Sequence, residues 1–166
     1  MLLALDVHYK ASYAKTVGVL FLARDKEPLR VITTYTKDVD EYIPGQFYKR
    51  ELPCLLQAIN EVDLNTIDAI IVDGHVYIDN NLSLGLGGHL YNALDKQIPI
   101  IGVAKKAFHT NDNTTESLLR GESQTPLYIS SIGIDLQNAV DFIKFMHGPH
   151  RTPTLLRTLD RLTKTP

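Results

Sequence analysis

The chain has 166 residues, 44% of them apolar and 22% charged, with 10 Gly and 8 Pro, and its 17 basic against 19 acidic residues leave a net charge of −2. These values fit one α/β domain over residues 1–166 with a single core, and they exclude a disordered, collagen-like or disulfide-stapled chain. The one cysteine, Cys54, has no partner within the chain, which fits a reducing, cytoplasmic setting. The longest apolar runs, such as 98–104, fall far short of the roughly 20 residues a membrane span needs, so no signal peptide or anchor is expected. The near-neutral balance gives no global attraction to nucleic acid, and such a partner needs a local basic patch or bound cations.

In chain order, 2–7, 16–23 and 29–35 read as β-strands rich in branched and aromatic residues, and their short connections imply an antiparallel meander. A polar loop, 38–45, ends in Pro-Gly. Leu52, Leu55, Leu56, Ile59 and Val62 then fall at helical spacing, with Pro53 tolerable in the first turn. The apolar run 67–72, closed by Asp73-Gly74, reads as a buried strand that ends at a functional edge. A second helix is expected after the glycines near Gly87, and buried strands over 98–103 and 127–132 flank a polar loop, 110–124, which is the best candidate for disorder. Asp135 caps a helix carrying Leu136, Ala139, Val140 and Ile143. Thr152-Pro153 opens a last helix carrying Leu155, Leu156, Leu159 and Leu162. The order implies a mixed sheet, three antiparallel strands followed by parallel ones, with helices on its faces.

Two aspartates stand where apolar strands end, Asp6 in Leu-Ala-Leu-Asp-Val and Asp73 in Ile-Ile-Val-Asp-Gly, and neighbouring strands bring such carboxylates to one edge. Burying like charges is costly unless a proton or cation is shared. Glu51 precedes the first turn of its helix and, at about 100° per residue, falls on the rim of the apolar stripe; Asp160 lies likewise beside Leu156. Four carboxylates on that boundary suit an oxygen cage for Mg²⁺ or Mn²⁺. Taken singly, each also reads as a cap, a turn former or a solvated helix residue. The six histidines have no zinc spacing, and His75 and His89 read either as site-lining or as hydrogen-bonded structural groups.

With these residues on the page, the sequence resembles the endonuclease V family, which has a ribonuclease H-like fold. The motifs run in order: Asp6-Val7, Tyr42-Ile-Pro-Gly45 followed by Arg50-Glu51, Val72-Asp73-Gly74-His75, Gly85 with His89, Ile101-Gly-Val-Ala-Lys105-Lys106, and His150-Arg-Thr-Pro153 leading to Arg157 and Asp160. No single motif is specific, but six in register span nearly the whole chain. The resemblance implies Asp6, Glu51 and Asp73 as catalytic acids that bind Mg²⁺ or Mn²⁺, Asp160 as their support and Lys105 as a phosphate contact, where the residue type alone leaves an ordinary exposed lysine equally open. It implies hydrolysis of a phosphodiester near a deaminated base, inosine, in DNA or RNA. Tyr42, Ile43 and Pro44 match a wedge that fills the gap of a flipped base, with Gly45 allowing close approach, although such a loop also serves to cover a core. Arg50, Gly74, His89, His150 and Arg151 complete the implied nucleic-acid contacts, and from 144 to 166 five Lys/Arg stand against the single acid Asp160. A monomer with nucleic acid as its partner, and no membrane, is expected.

The sequence departs from the family pattern at Val76, Asp79 and Asn80, positions the pattern places close to the base pocket. It departs again at Glu41, at Thr154-Leu155 and at Gly133-Ile134-Asp135, and it opens directly on its first strand as a short member. The departures leave two other readings open: a nucleic-acid-binding module without base-specific cleavage, and a nuclease for another structured substrate.

Overall fold

The computed structural model describes residues 1–37, 39, 44 and 46–166, with Phe47 described by its backbone alone. Strands β1 (Leu2–Tyr9), β2 (Tyr13–Phe21) and β3 (Arg30–Lys37) form the expected meander. β1 then pairs in parallel with β4 (Ala69–Asp73), and β4 in parallel with β5 (Ile100–Ala104). Beyond β5 the expectation of further parallel strands fails. Two more strands, β6 (Glu116–Leu118) and β7 (Leu127–Ile132), complete a sheet of order β3-β2-β1-β4-β5-β7-β6, and β7 runs antiparallel to β5. The physical reason is the connection: residues 105–126 contain no helix, so no crossover returns the chain to the strand's starting end. The polar segment expected to be disordered instead carries β6, paired with β7 from Glu116–Ile129 to Leu118–Leu127.

Alternation along the strands divides the core in two. Leu3, Leu5, Ile70, Val72 and Ile100 face α1 (Phe47–Ile59) and α2 (Leu86–Ala93), meeting Leu55, Ile59 and Leu90. Ala4, Val17, Ile71, Ile101 and Val103 face α3 (Leu136–Lys144) and α4 (Thr154–Lys164), meeting Val140, Ile143, Leu155 and Leu159. α1 begins five residues before Leu52, so Glu51 lies inside the helix rather than ahead of it, and Pro53 sits in the second turn. Pro53 and Lys49 are both exposed, so the Lys49 carbonyl that loses its helical donor lies on the water side. Asp135 caps α3 as expected, accepting from the Asn138 N–H at 3.4 Å. α4 starts one residue later than expected, after Pro153, and the buried Thr163 extends its apolar stripe from Leu155 and Leu159.

One buried charge organises the approach to α4. Arg120, 5% exposed, donates from Nη1 to the carbonyls of His150 and Arg151 and from Nη2 to those of Met146 (2.8 Å) and Gly148 (3.2 Å). Gly121 follows at φ +60°, where a Cβ would overlap the Pro149 carbonyl. Strain and overlap act together, so Gly121→Ala is expected to lower the unfolding free energy by at least about 2 kcal/mol, read as a shifted urea midpoint at unchanged slope.

Candidate active site

The parallel ladder of β1 and β4 ends at the pair Leu5–Val72, so Asp6 and Asp73 follow side by side on neighbouring strands, about 4.8 Å apart in backbone spacing. Both line a cleft of about 770 Å³, to whose lining α4 contributes Arg157, Asp160 and Arg161, together with Lys105 and His150. Glu51 comes from α1 on the opposite face of the sheet and is 5% exposed. Gly74, at φ +138° with open space where a Cβ would lie, turns the chain away directly after Asp73.

The three acids load one another. Burial, then the charges of Asp6 and Asp73, push the Glu51 carboxyl up to about 8. Burial and Asp73 push Asp6 up to about 6. Asp73, the most open to solvent, is also raised, by desolvation at the foot of the cleft and by Asp160, against the opposing charge of Lys105. Among the described residues none of the three has a Lys, Arg or His within ion-pair distance, and Glu51 Oε2 is buried without a hydrogen-bond partner. Asp160 pairs instead with Lys164 at 3.0 Å. Such a set fits a hard divalent cation, which an all-oxygen donor set and an orphaned carboxylate oxygen both favour. Among the described residues no three His, Cys, Asp or Glu side chains stand close enough to form a closed cage. The four-carboxylate cage expected from the sequence is therefore not formed among them.

Asp6, Asp73, Lys105, Asp160, His150 and Arg151 all line the cleft; Glu51, Arg50, Gly74 and His89 do not. Arg151 is fixed by donating to the carbonyls of Lys105 (2.8 Å) and Pro126 (2.7 Å), so its guanidinium builds the wall. Arg50 lies over the Tyr9 ring at 3.5 Å beside Glu51. His89 stacks on Tyr48 at 3.5 Å. His75 is structural: Nε2 donates to the Lys106 carbonyl at 2.9 Å, Nδ1 faces Asn111 Nδ2 at 3.2 Å, and burial pushes its pKa down, as suits a neutral ring. Tyr42, Ile43 and Gly45 of the wedge lie outside the described residues, and Pro44 is an exposed turn residue.

The departures also find their places. Val76 is fully buried, and its Cγ2 would lie 2.9 Å from a Cβ on Gly87, so it fills the interface with α2 and does not project into the cleft. Asp79 Oδ1 accepts from the Asn81 and Ser83 N–H groups, both at 3.0 Å. Asn80 bonds Asp112 at 2.8 Å and Asn113 at 2.9 Å, closing a seam between two loops. Sequence reasoning missed Arg120, Lys15 and Thr163. For the last two a signal existed, a lysine inside the apolar run of β2 and a threonine four residues after Leu159.

A family model described as Endonuclease V matches residues 1–161. Endonuclease V of Pyrococcus abyssi is 32% identical over 163 residues, 97% of this chain and 77% of the relative. That of Rhodospirillum centenum is 32% identical over 155 residues, 81% of this chain, which spans 63% of the relative's length. Human ENDOV superposes with a TM-score of 0.78 at 21% identity, covering 98% of this chain and 82% of that one. Ciona intestinalis Endonuclease V, crystallised in complex with a 24mer DNA containing an inosine followed by a ribo-adenosine, superposes with a TM-score of 0.81 at 16% identity, covering 98% and 84%. The two structural likenesses show the fold, a ribonuclease H-like mixed sheet flanked by helices.

The raised acids make stability depend on pH. Glu51 releases its proton near 4.5 when unfolded and near 8 in the folded, cation-free protein. The folded state therefore holds the extra proton between those values, and stability present below pH 4.5 is lost as pH rises towards 8, by about 3 to 5 kcal/mol. Asp6 adds a loss of the same sign between 3.8 and about 6. Urea denaturation in chelator is expected to show this decline, with Glu51→Gln flattening the part above pH 6.

Proposed function

Because the chain belongs to the endonuclease V family, we propose that it hydrolyses a phosphodiester near a deaminated base, inosine, in DNA or RNA, with Mg²⁺ or Mn²⁺ bound at the acids Asp6, Glu51 and Asp73, one or two of which would be its direct ligands. The observation that carries this reading is the uncompensated carboxylate group: Asp6 and Asp73 line a cleft that Lys105, Arg157 and Arg161 also line, and Glu51, outside that lining, adds its charge with a buried orphan oxygen. When bound, the cation supplies activation of water and offsets charge on the departing oxygen.

The chain's own residues do the rest. Lys105, exposed just beyond β5, holds a phosphate oxygen as a point charge beside Asp73. Arg157, Arg161 and His150 follow the backbone along the cleft, supplying the local cluster that the overall charge of −2 does not. Asp160 holds Lys164 against α4 and keeps negative charge beside Asp73. Tyr42, Ile43, Pro44 and Gly45 serve as the wedge by sequence alone. A single copy carries every group invoked, and among the described residues no helix is long and apolar enough to cross a membrane.

A second reading, a nuclease for another structured substrate, is favoured by the loop seam, because Asp79 and Asn80 are engaged in loop contacts rather than turned towards a base. The two readings part on labelled oligonucleotides, single-stranded and duplex, DNA and RNA, each with and without one inosine, in Mg²⁺ or Mn²⁺. Cuts confined to inosine-containing strands are expected. Asp73→Asn is expected to lower kcat/KM at least 100-fold, about 3 kcal/mol of transition-state stabilisation, and Lys105→Ala to lower it about 10-fold. Equal cleavage of plain strands supports the second reading, and binding without cleavage, indifferent to cation and to Asp73→Asn, supports a binding module. Val76→Ala is expected to cost about 1 to 3 kcal/mol of stability and to leave the preference for inosine unchanged.

A further inference from the structure

Asp6 is held at both carboxylate oxygens. Oδ1 accepts from the Val7 N–H at 2.9 Å, and Oδ2 faces the Thr163 hydroxyl at 3.3 Å. Thr163 is 1% exposed, and its hydroxyl also lies 2.8 Å from the Asp160 carbonyl. It therefore stands pinned between the last turn of α4 and β1. The last carbonyls of a helix have no donor within the helix, and a buried helix end needs partners from elsewhere.

Those partners come from Lys15 on β2, 5% exposed, which reaches across the sheet face that α4 covers. Its Nζ donates to the Leu162 carbonyl (2.8 Å), the Thr165 carbonyl (2.9 Å) and Thr165 Oγ1 (3.2 Å), so its three protons grip residues on either side of Thr163. A buried ammonium without an ion-pair partner among the described residues is tolerable here because the negative end of the α4 dipole faces it. Lys10 adds an outer contact to the Lys164 carbonyl at 3.2 Å. An apolar side chain in place of Lys15 would leave this helix end bare, and the turn carrying Thr163 would loosen.

We infer that Thr163 is a positioning residue that orients Asp6 for a divalent cation, and that Lys15 holds Thr163 in place through the end of α4. This rests on the reading of Asp6 as a cation ligand. Outer contacts of this kind raise metal affinity by fixing the ligand before the ion arrives.

The test is Mn²⁺ titration of the full chain, followed by the electron paramagnetic resonance signal of free Mn²⁺, with melting temperature recorded for every variant. Thr163→Val is expected to weaken Mn²⁺ binding about 10-fold, Thr163→Ser to restore it to within about 2-fold, and Lys15→Met to weaken it several-fold. The double variant is expected to bind no more weakly than Thr163→Val alone, because both changes act through one contact. Should Lys15→Met not fold, Lys15→Gln takes its place in both comparisons. Wild-type affinity in Thr163→Val overturns the role of Thr163, and losses that multiply in the double variant overturn the link to Lys15. A wild-type protein that binds no Mn²⁺ overturns the cation reading and this inference together, whereas wild-type binding matched by Thr163→Val overturns this inference alone.

Discussion

Three carboxyl groups crowd the point where the β1–β4 ladder ends, without a basic partner in ion-pair reach among the described residues, and the surrounding structure is arranged around that repulsion. The sheet brings Asp6 and Asp73 together by register, since parallel pairing of β1 and β4 stops one residue before them. α1 adds Glu51 from the other face, where one carboxyl oxygen is buried without a hydrogen-bond partner. The cations sit one step away, on the β5 end and along α4, so that charge is separated across the cleft instead of neutralised within it. That separation leaves a field across the cleft, which a set of paired salt bridges would have cancelled.

Much of this was legible in the sequence, for reasons that can be stated residue by residue. The runs before Asp6 and Asp73 are apolar on both strand faces, which marks buried strands; Asp73 closes β4 as expected, whereas β1 runs on beside β2 to Tyr9, so Asp6 closes only the pairing with β4. Glu51 was readable as a rim residue because its angle on the helix depends only on spacing, although the helix start was not, since Pro53 is tolerated in an exposed second turn. The direction of β7 was illegible because a strand's local pattern does not say which neighbour it joins. β6 was hidden for a related cause: three residues of a polar segment become a strand only by pairing with β7. Lys15 and Thr163 could be suspected as buried from their positions in apolar patterns, but their partners, like those of Arg120, are groups far along the chain that no spacing rule reaches. His75 stood open between two roles, and its two ring nitrogens are both engaged, with the Lys106 carbonyl and the Asn111 amide.

The region around the departures shows how a loop pair can be rebuilt without touching the acids. Val76 turns inward against Gly87, while Asn80, Thr110 and Asn111 stitch 77–84 to 108–114 by side-chain bonds to Asp112, the Ile78 carbonyl and the Tyr77 carbonyl. No residue of either loop lines the cleft, and the pairing of β1 with β4 involves neither.

The grip of Lys15 on the end of α4 spans 147 and 150 residues of chain, and the contact between Thr163 and Asp6 spans 157. The β1–β2 hairpin is local and can form as soon as it is made, but its buried ammonium then waits, hydrated, until nearly all the remaining elements have been synthesised and packed. Closing such long loops comes late in folding, so the acidic edge is expected to be the last part of the molecule to take its final shape. A nascent chain thus carries much of its sheet before it carries a finished cleft, and a partly made molecule holds the charged groups of that cleft without the framework that aims them.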